Sequence, residues 1–284
     1  MPTQRTQVGI VGSGPAGLTL AQLLERAGID SVVLERRSRD YVLGRVRAGV
    51  IEQGTVEILR EAGVAARLDR EGLRHDGVEI AVGEERYRID FAAQNAHLTV
   101  YGQTELTKDL MDARAPSGAL AQVEVDDVVL DDVTTDRPRL RYRRAGAVHT
   151  VECDFIAGCD GFHGVSRASI PSNVLQTHER VYPFGWLGVL ADGPPVSPEV
   201  IYLSHEPGFA LCSMRSAVRS RCYVQCELET DLAQWSNERF WDELQARLPA
   251  ELAARLVRGR VLEKSVAPLR SFVAEPLRYG RLFL

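Results

Sequence analysis

At 284 residues, 45% of them hydrophobic and 26% charged, the chain has the composition of an ordinary globular protein, long enough for one large core or two coupled ones. A net charge of −5 with no basic run argues against nucleic acid as a partner, and no apolar stretch approaches the ~20 residues of a membrane helix. Five cysteines (Cys153, Cys159, Cys212, Cys222 and Cys226) are odd in number and form no C-x-x-C pair. With no secretion signal at the N-terminus, they predict reduced thiols in a cytoplasmic protein and no metal site.

In chain order, the apolar run Val8 to Val11 leads into Gly12-Ser13-Gly14-Pro15-Ala16-Gly17, and a helical pattern follows from Leu18 to Arg26. That is the strand–turn–helix setting in which G-x-G-x-x-G binds a dinucleotide. Gly12 permits the tight turn, Gly14 lets backbone approach a pyrophosphate, and Gly17 lets helix and strand pack closely. The helix N-terminus offers its free N–H groups to the phosphates. Glu35 ends the next apolar run, Ser31 to Leu34, near the ~20-residue offset of a ribose-binding acid. A helix is predicted over about 52–62, closed by Gly63, and a two-stranded excursion over 77–90. Another helix follows Gln103, with Thr104 as N-cap and Leu106, Leu110 and Met111 on one side. Strands around 121–130 and 139–144 lead to one at 150–157, which delivers the turn Cys159-Asp160-Gly161-Phe162-His163. Beyond Pro183 the pattern becomes strands separated by turns, at 184–191, 199–204, 209–215 and 221–228. A helix begins after Ser236 and breaks at Pro249; strands near 261–267 and 281–284 finish the chain.

The period of two along a strand places Ser213 and Arg215 on one face, and Arg221, Tyr223 and Gln225 on one face of the next strand. If the two strands form a hairpin, Ser213, Arg215 and Tyr223 converge. A guanidinium with two hydroxyls makes a carboxylate clamp, because arginine grips both oxygens in a fork. The same residues also fit a solvated strand face of mixed polar side chains, which is the better reading of a lone arginine.

Gly12–Gly17, Glu35 and Asp160-Gly161 together resemble the single-component flavin-dependent aromatic hydroxylases. Arg45-Val46-Arg47-Ala48-Gly49, Tyr101-Gly102-Gln103-Thr104-Glu105 and Arg180–Trp186 are similar to the branch acting on 4-hydroxybenzoate, with matching segments from Gln7 to Leu284. The resemblance implies an α/β fold: a Rossmann-like FAD-binding domain over 1–180, returning at 268–284, with an inserted, mostly antiparallel β-sheet substrate domain over 181–267. It implies FAD held by Gly12, Gly14, Ala16, Gly17, Glu35, Arg45, Val46, Arg47, Ala48, Gly49, Val50, Gln103, Asp160 and Gly161. Arg36, Arg37, Tyr41, Arg47, His163 and Arg270 would serve the nicotinamide. The arginines just past Glu35 (Arg36, Arg37 and Arg39) favour NADPH over NADH, since arginine clusters suit a phosphomonoester.

By the same resemblance, Ser213, Met214, Arg215 and Tyr223 bind the substrate carboxylate end and Tyr202 the phenol, while His75 takes the outer end of a proton relay. The implied reaction uses NADPH and dioxygen to hydroxylate 4-hydroxybenzoate ortho to its phenol, giving 3,4-dihydroxybenzoate, in a cytoplasmic homodimer with no membrane partner. In the family, a further flavin motif and a helical region follow the strand that resembles 281–284, so the chain is read as a truncated enzyme. Rival readings are a flavin hydroxylase for another aromatic acid, a plain NAD(P) dehydrogenase, an inactive fragment of such a hydroxylase, and a cofactor-free interaction or regulatory fragment.

Overall fold

The structure, a computed structural model, describes residues 3–45, 48–116 and 121–284. Its first sheet has five strands in the order Arg278–Tyr279, Leu282–Phe283, Phe155–Gly158, Val8–Val11, Ser31–Leu34. The last four run parallel. Residues 8–34 form the expected strand–helix–strand unit. Its helix, Pro15–Arg26, starts at the proline rather than at Leu18, because Pro15 suits the first helical position and Gly14 stays extended as the cap. Leu18 and Ala21 turn inward, and Ala21 meets Ile10, Val33 and Ala157. The helix Gln103–Arg114 lies alongside, tied by a 2.8 Å ion pair from the buried Arg114 to Glu25.

Two smaller sheets flank this unit. One has four strands, Thr3–Arg5, Ala147–Glu152, Arg139–Arg144 and Asp126–Asp131. The other joins three-residue strands, Val50–Glu52, Leu98–Val100 and Leu73–His75. The single strand expected over 150–157 is two strands in different sheets. The break falls at Cys153-Asp154, whose N–H groups donate to the carbonyls of Pro138 and Gln7, redirecting the chain. The helix at Gln103 is preceded by Gly102 with no side-chain cap, so Thr104 is not its N-cap; the Thr104 hydroxyl donates instead to the Arg45 carbonyl.

The largest sheet has seven strands in the order Val261–Glu275, Gln176–Asp192, Arg219–Glu227, Gly208–Ser216, Ile201–His205, Gly77–Val82, Glu85–Asp90. All its pairings are antiparallel except Ile201–His205 with Gly77–Val82. The sheet therefore takes its outer hairpin from well before residue 181, and two of its strands run past 181 and 267. One face is dry: Leu187, Val189, Ile201, Leu203, Ala210, Cys212, Cys222 and Val224 pack against Phe240, Trp241 and Leu244 of the helix Asn237–Gln245. Ser236 caps that helix through its hydroxyl, which accepts the Arg239 N–H at 3.0 Å. The other face carries Tyr202, Leu211 and Tyr223. No helix among the described residues is long and apolar enough to cross a membrane.

Candidate active site

The first glycine turn is closed by packing. Gly12 has φ +104, and a Cβ there would strike the Cys159 carbonyl; one on Gly17 would strike the Gly12 carbonyl. Glycine at 12 and 17 thus brings the two loops and the helix start into contact, while Gly14 has nothing within 4 Å of the position a Cβ would take. Ala16 sits exposed on the first helical turn, beside N–H groups that have no intrahelical partner. Glu35 closes the turn from the next strand: one oxygen accepts the Ser13 N–H and hydroxyl, the other the Arg37 N–H at 2.7 Å.

Asp160 orders its own loop, accepting the Ser166 N–H at 2.9 Å and hydroxyl at 3.0 Å, with Gly164 packed so closely that a side chain there would collide with the carboxylate. Gly161 follows with φ +73, a left-handed conformation that suits glycine.

Arg45, Ala48 and Gly49 are bound to residues 101–104, at the start of the Gln103–Arg114 helix. Tyr101 N–H donates to the Gly49 carbonyl at 2.8 Å, Gln103 N–H to the Ala48 carbonyl and the Thr104 hydroxyl to the Arg45 carbonyl, both at 3.0 Å. Tyr101 is buried and bonded to Asp109, which together push its phenol well above the usual range. Val50 begins a strand, with its side chain exposed. Val46 and Arg47 lie outside the described residues.

The other residues expected at the nicotinamide fall into two groups. The Arg37 guanidinium lies 4.9 Å from the Tyr41 ring centre, and Arg45 donates to the Tyr41 hydroxyl at 3.1 Å, with Arg36 exposed nearby in sequence. Arg39 is engaged elsewhere, with Asp112 at 2.8 Å. His163 and Arg270 meet around Phe162, with ring centres 4.9 Å apart for the first and the guanidinium 4.6 Å from the ring for the second. Arg270 also pairs with Glu179 at 2.8 Å.

Across the large sheet, Tyr202, Leu211, Tyr223, Gly188 and Ser265 stand in one register row. Paired residues share a face, so Tyr202 and Tyr223 project to the same side, two strand spacings or roughly 10 Å apart along the backbone. Trp186 and Phe209 stack between them at 4.7 Å; Tyr202 lies 6.3 Å from Phe209, and Tyr223 5.8 Å from Trp186. A side chain at Gly188 would meet the Tyr223 ring at 2.6 Å, so the glycine makes room for it.

Ser213 is buried opposite Arg221, and Met214 is half-buried opposite Ser220. Beyond Met214 the register slips, and Arg215 is the extra residue of a β-bulge. Simple alternation therefore does not fix its direction; the bulge does, aiming the guanidinium onto Gly49. Burial pushes Arg215 below the usual arginine range; Arg221 presses the same way, while Tyr223 and Glu263 oppose. Arg221, 8% exposed, approaches Glu263 at 3.4 Å and donates to Ser265 at 3.3 Å. Arg221, Glu263, Trp186 and Phe209 were not singled out as site residues from sequence, although Arg221 shares the parity of Tyr223.

His75 is only 3% exposed, at the end of a three-residue strand paired to Leu98, and neither ring nitrogen has a hydrogen-bond partner among the described residues. Burial lowers its pKa from 6.5, against the opposing charges of Glu199 and Asp76.

The family described as FAD binding domain matches residues 5–284. The chain belongs to it. The p-hydroxybenzoate hydroxylase of Acinetobacter baylyi is 53% identical over 286 residues, covering all of this chain and 70% of that protein. A probable NADH-specific resorcinol 4-hydroxylase of Rhodococcus jostii is 28% identical over 56% of this chain and 31% of its own length. Among solved structures, p-nitrophenol 4-monooxygenase PnpA from Pseudomonas putida DLL-E4 superposes with TM-score 0.83 at 18% identity, over 99% of this chain and 72% of that one. These findings establish the FAD-binding monooxygenase fold of mixed helices and antiparallel sheets.

The residues present fit FAD. The open flank of Gly14, the unpartnered N–H groups of the 12-residue helix Pro15–Arg26 and the fixed carboxylate of Glu35 suit a pyrophosphate and its ribose. Among the described residues no group of three or more His, Cys, Asp or Glu is placed to hold a metal.

Proposed function

We propose that the chain is an FAD-dependent, NADPH-consuming hydroxylase that converts 4-hydroxybenzoate to 3,4-dihydroxybenzoate. The observation carrying the substrate is the Arg215 guanidinium, half-buried near Tyr223 and seated against Gly49 of the predicted flavin segment. A benzoate carboxylate would receive both guanidinium N–H groups together with the hydroxyls of Ser213 and Tyr223, while the phenol lies toward Tyr202. The likeness to the Acinetobacter baylyi hydroxylase supports the same substrate.

FAD held by Gly12–Gly17, Glu35 and Asp160 would supply the redox chemistry by which one oxygen atom of dioxygen is inserted into the ring C–H bond ortho to the phenol and the other leaves as water, with NADPH and a proton consumed and NADP⁺ formed. The chain's own residues bind, orient and shield. Tyr202 donates its hydroxyl hydrogen to the phenol oxygen of the substrate and thereby favours the electron-rich phenolate. His75, whose burial favours the neutral ring, is a proton acceptor at the end of the Leu73–His75 strand and takes the outer end of the proton relay. Trp186 and Phe209 form an apolar wall that limits water near the reacting ring. Arg36, Arg37, Tyr41, His163 and Arg270 serve the nicotinamide phosphates, and the working form is a cytoplasmic homodimer.

The test is NADPH oxidation by flavin-loaded protein with 4-hydroxybenzoate and its 2- and 3-hydroxy isomers, with product analysis. Formation of 3,4-dihydroxybenzoate from the 4-isomer supports the proposal; no stimulation by any isomer refutes it.

A further inference from the structure

Gly49 has no positive φ that would call for glycine, and its carbonyl is held by Tyr101 in a way any residue would allow. The reason for a missing side chain lies across the domain boundary. A Cβ on Gly49 would collide with Arg215, meeting Nη1, Cζ and Nη2 in turn. The buried face of Gly49 is thus the surface on which the guanidinium rests, and Arg215 reaches it because the β-bulge lifts that residue out of the strand register.

We propose that Gly49 is a positioning residue for the substrate: its bare Cα seats Arg215 at the height that grips a carboxylate. This rests on the reading of Arg215 as the clamp. Arginine is long and flexible, so a methyl group at position 49 displaces the guanidinium rather than unfolding the chain, and fixed fork geometry is lost with little cost in stability. Because Ala48 and Gly49 are hydrogen-bonded to Gln103 and Tyr101, the clamp is referenced to the same backbone that lies at the flavin segment.

The test is a double-mutant cycle on flavin-loaded protein, with 4-hydroxybenzoate binding read by calorimetry. Gly49→Ala is expected to weaken binding about tenfold or more, the loss of one charge-assisted hydrogen bond. It is expected to add nothing in an Arg215→Ala background, and its thermal unfolding midpoint should stay with the parent's. Equal losses in both backgrounds would put the glycine's role in the loop and overturn the seat, as would unchanged binding by Gly49→Ala alone. If Arg215→Ala itself binds the acid normally, the clamp reading falls, and the seat with it.

Discussion

One carboxylate oxygen of Glu35 accepts both the backbone N–H and the hydroxyl of Ser13, each at 2.9 Å. The acid at the end of the second parallel strand thus fixes the middle of the glycine turn that ends the first. Glu35 and Gly12–Gly17 are one rigid unit, and the substrate residues are arranged relative to it.

Arg215→Ala should weaken 4-hydroxybenzoate binding by roughly 1.5–3 kcal/mol, the value of a hydrogen bond to a charged group. Flavin retained on gel filtration would show that the loss is local. An affinity equal to the parent's would remove Arg215 from the substrate site.

Tyr202→Phe removes one hydroxyl from the phenol end and leaves Ser213, Arg215 and Tyr223 intact. Binding of the acid is expected to survive, while 3,4-dihydroxybenzoate per NADPH falls and released hydrogen peroxide rises. Full coupling of product to NADPH in this variant would exclude the role.

Gly12→Ala places a methyl against the Cys159 carbonyl at a backbone angle, φ +104, that side chains avoid. The strain should cost about 1–3 kcal/mol, read by urea unfolding, and should be accompanied by loss of FAD. A variant as stable as the parent, with flavin bound, would mean that the two loops separate easily.

His75 gives a pH dependence of definite sign. Its folded pKa lies below 6.5 because burial disfavours the charged ring. In the pH range between the two values the unfolded chain binds a proton that the folded chain does not. Its stability contribution is therefore present in full above about 6.5 and is lost as pH falls through the lower folded value. Urea unfolding at pH 7.5 and 5.5 should show the drop in the parent and a smaller one in His75→Gln; equal drops would assign it to other groups.

Much of this was legible in local patterns. The glycine turn with its flanking strand and helix, the Asp160-Gly161 loop and the Arg219–Glu227 hairpin strand all depend on neighbours close in sequence. Three features did not. The bulge at Arg215 leaves no mark in polar–apolar alternation, because its cause is the register of the partner strand. The strands Val50–Glu52, Leu73–His75 and Leu98–Val100 are too short to show a period of two, which also hid the burial of His75. The pairing of Gly77–Val82 with Ile201–His205 joins segments that share no turn.

That last pairing has a consequence for how the chain reaches its fold. Ile201 lies opposite Glu79, and Phe155 opposite Val8, so neither sheet is complete until widely separated stretches have left the ribosome. Closing such long loops carries entropy that only late contacts repay, which predicts slow folding in the range of domains dominated by non-local pairings. Until residues 201–205 emerge, the hairpin 77–90 has an open edge, and Val78 and Ala81, buried in the finished fold, add to Ile80, Val82, Tyr87 and Ile89, which stay exposed throughout. During synthesis that open, partly apolar edge makes the hairpin a segment prone to pairing with the wrong strand.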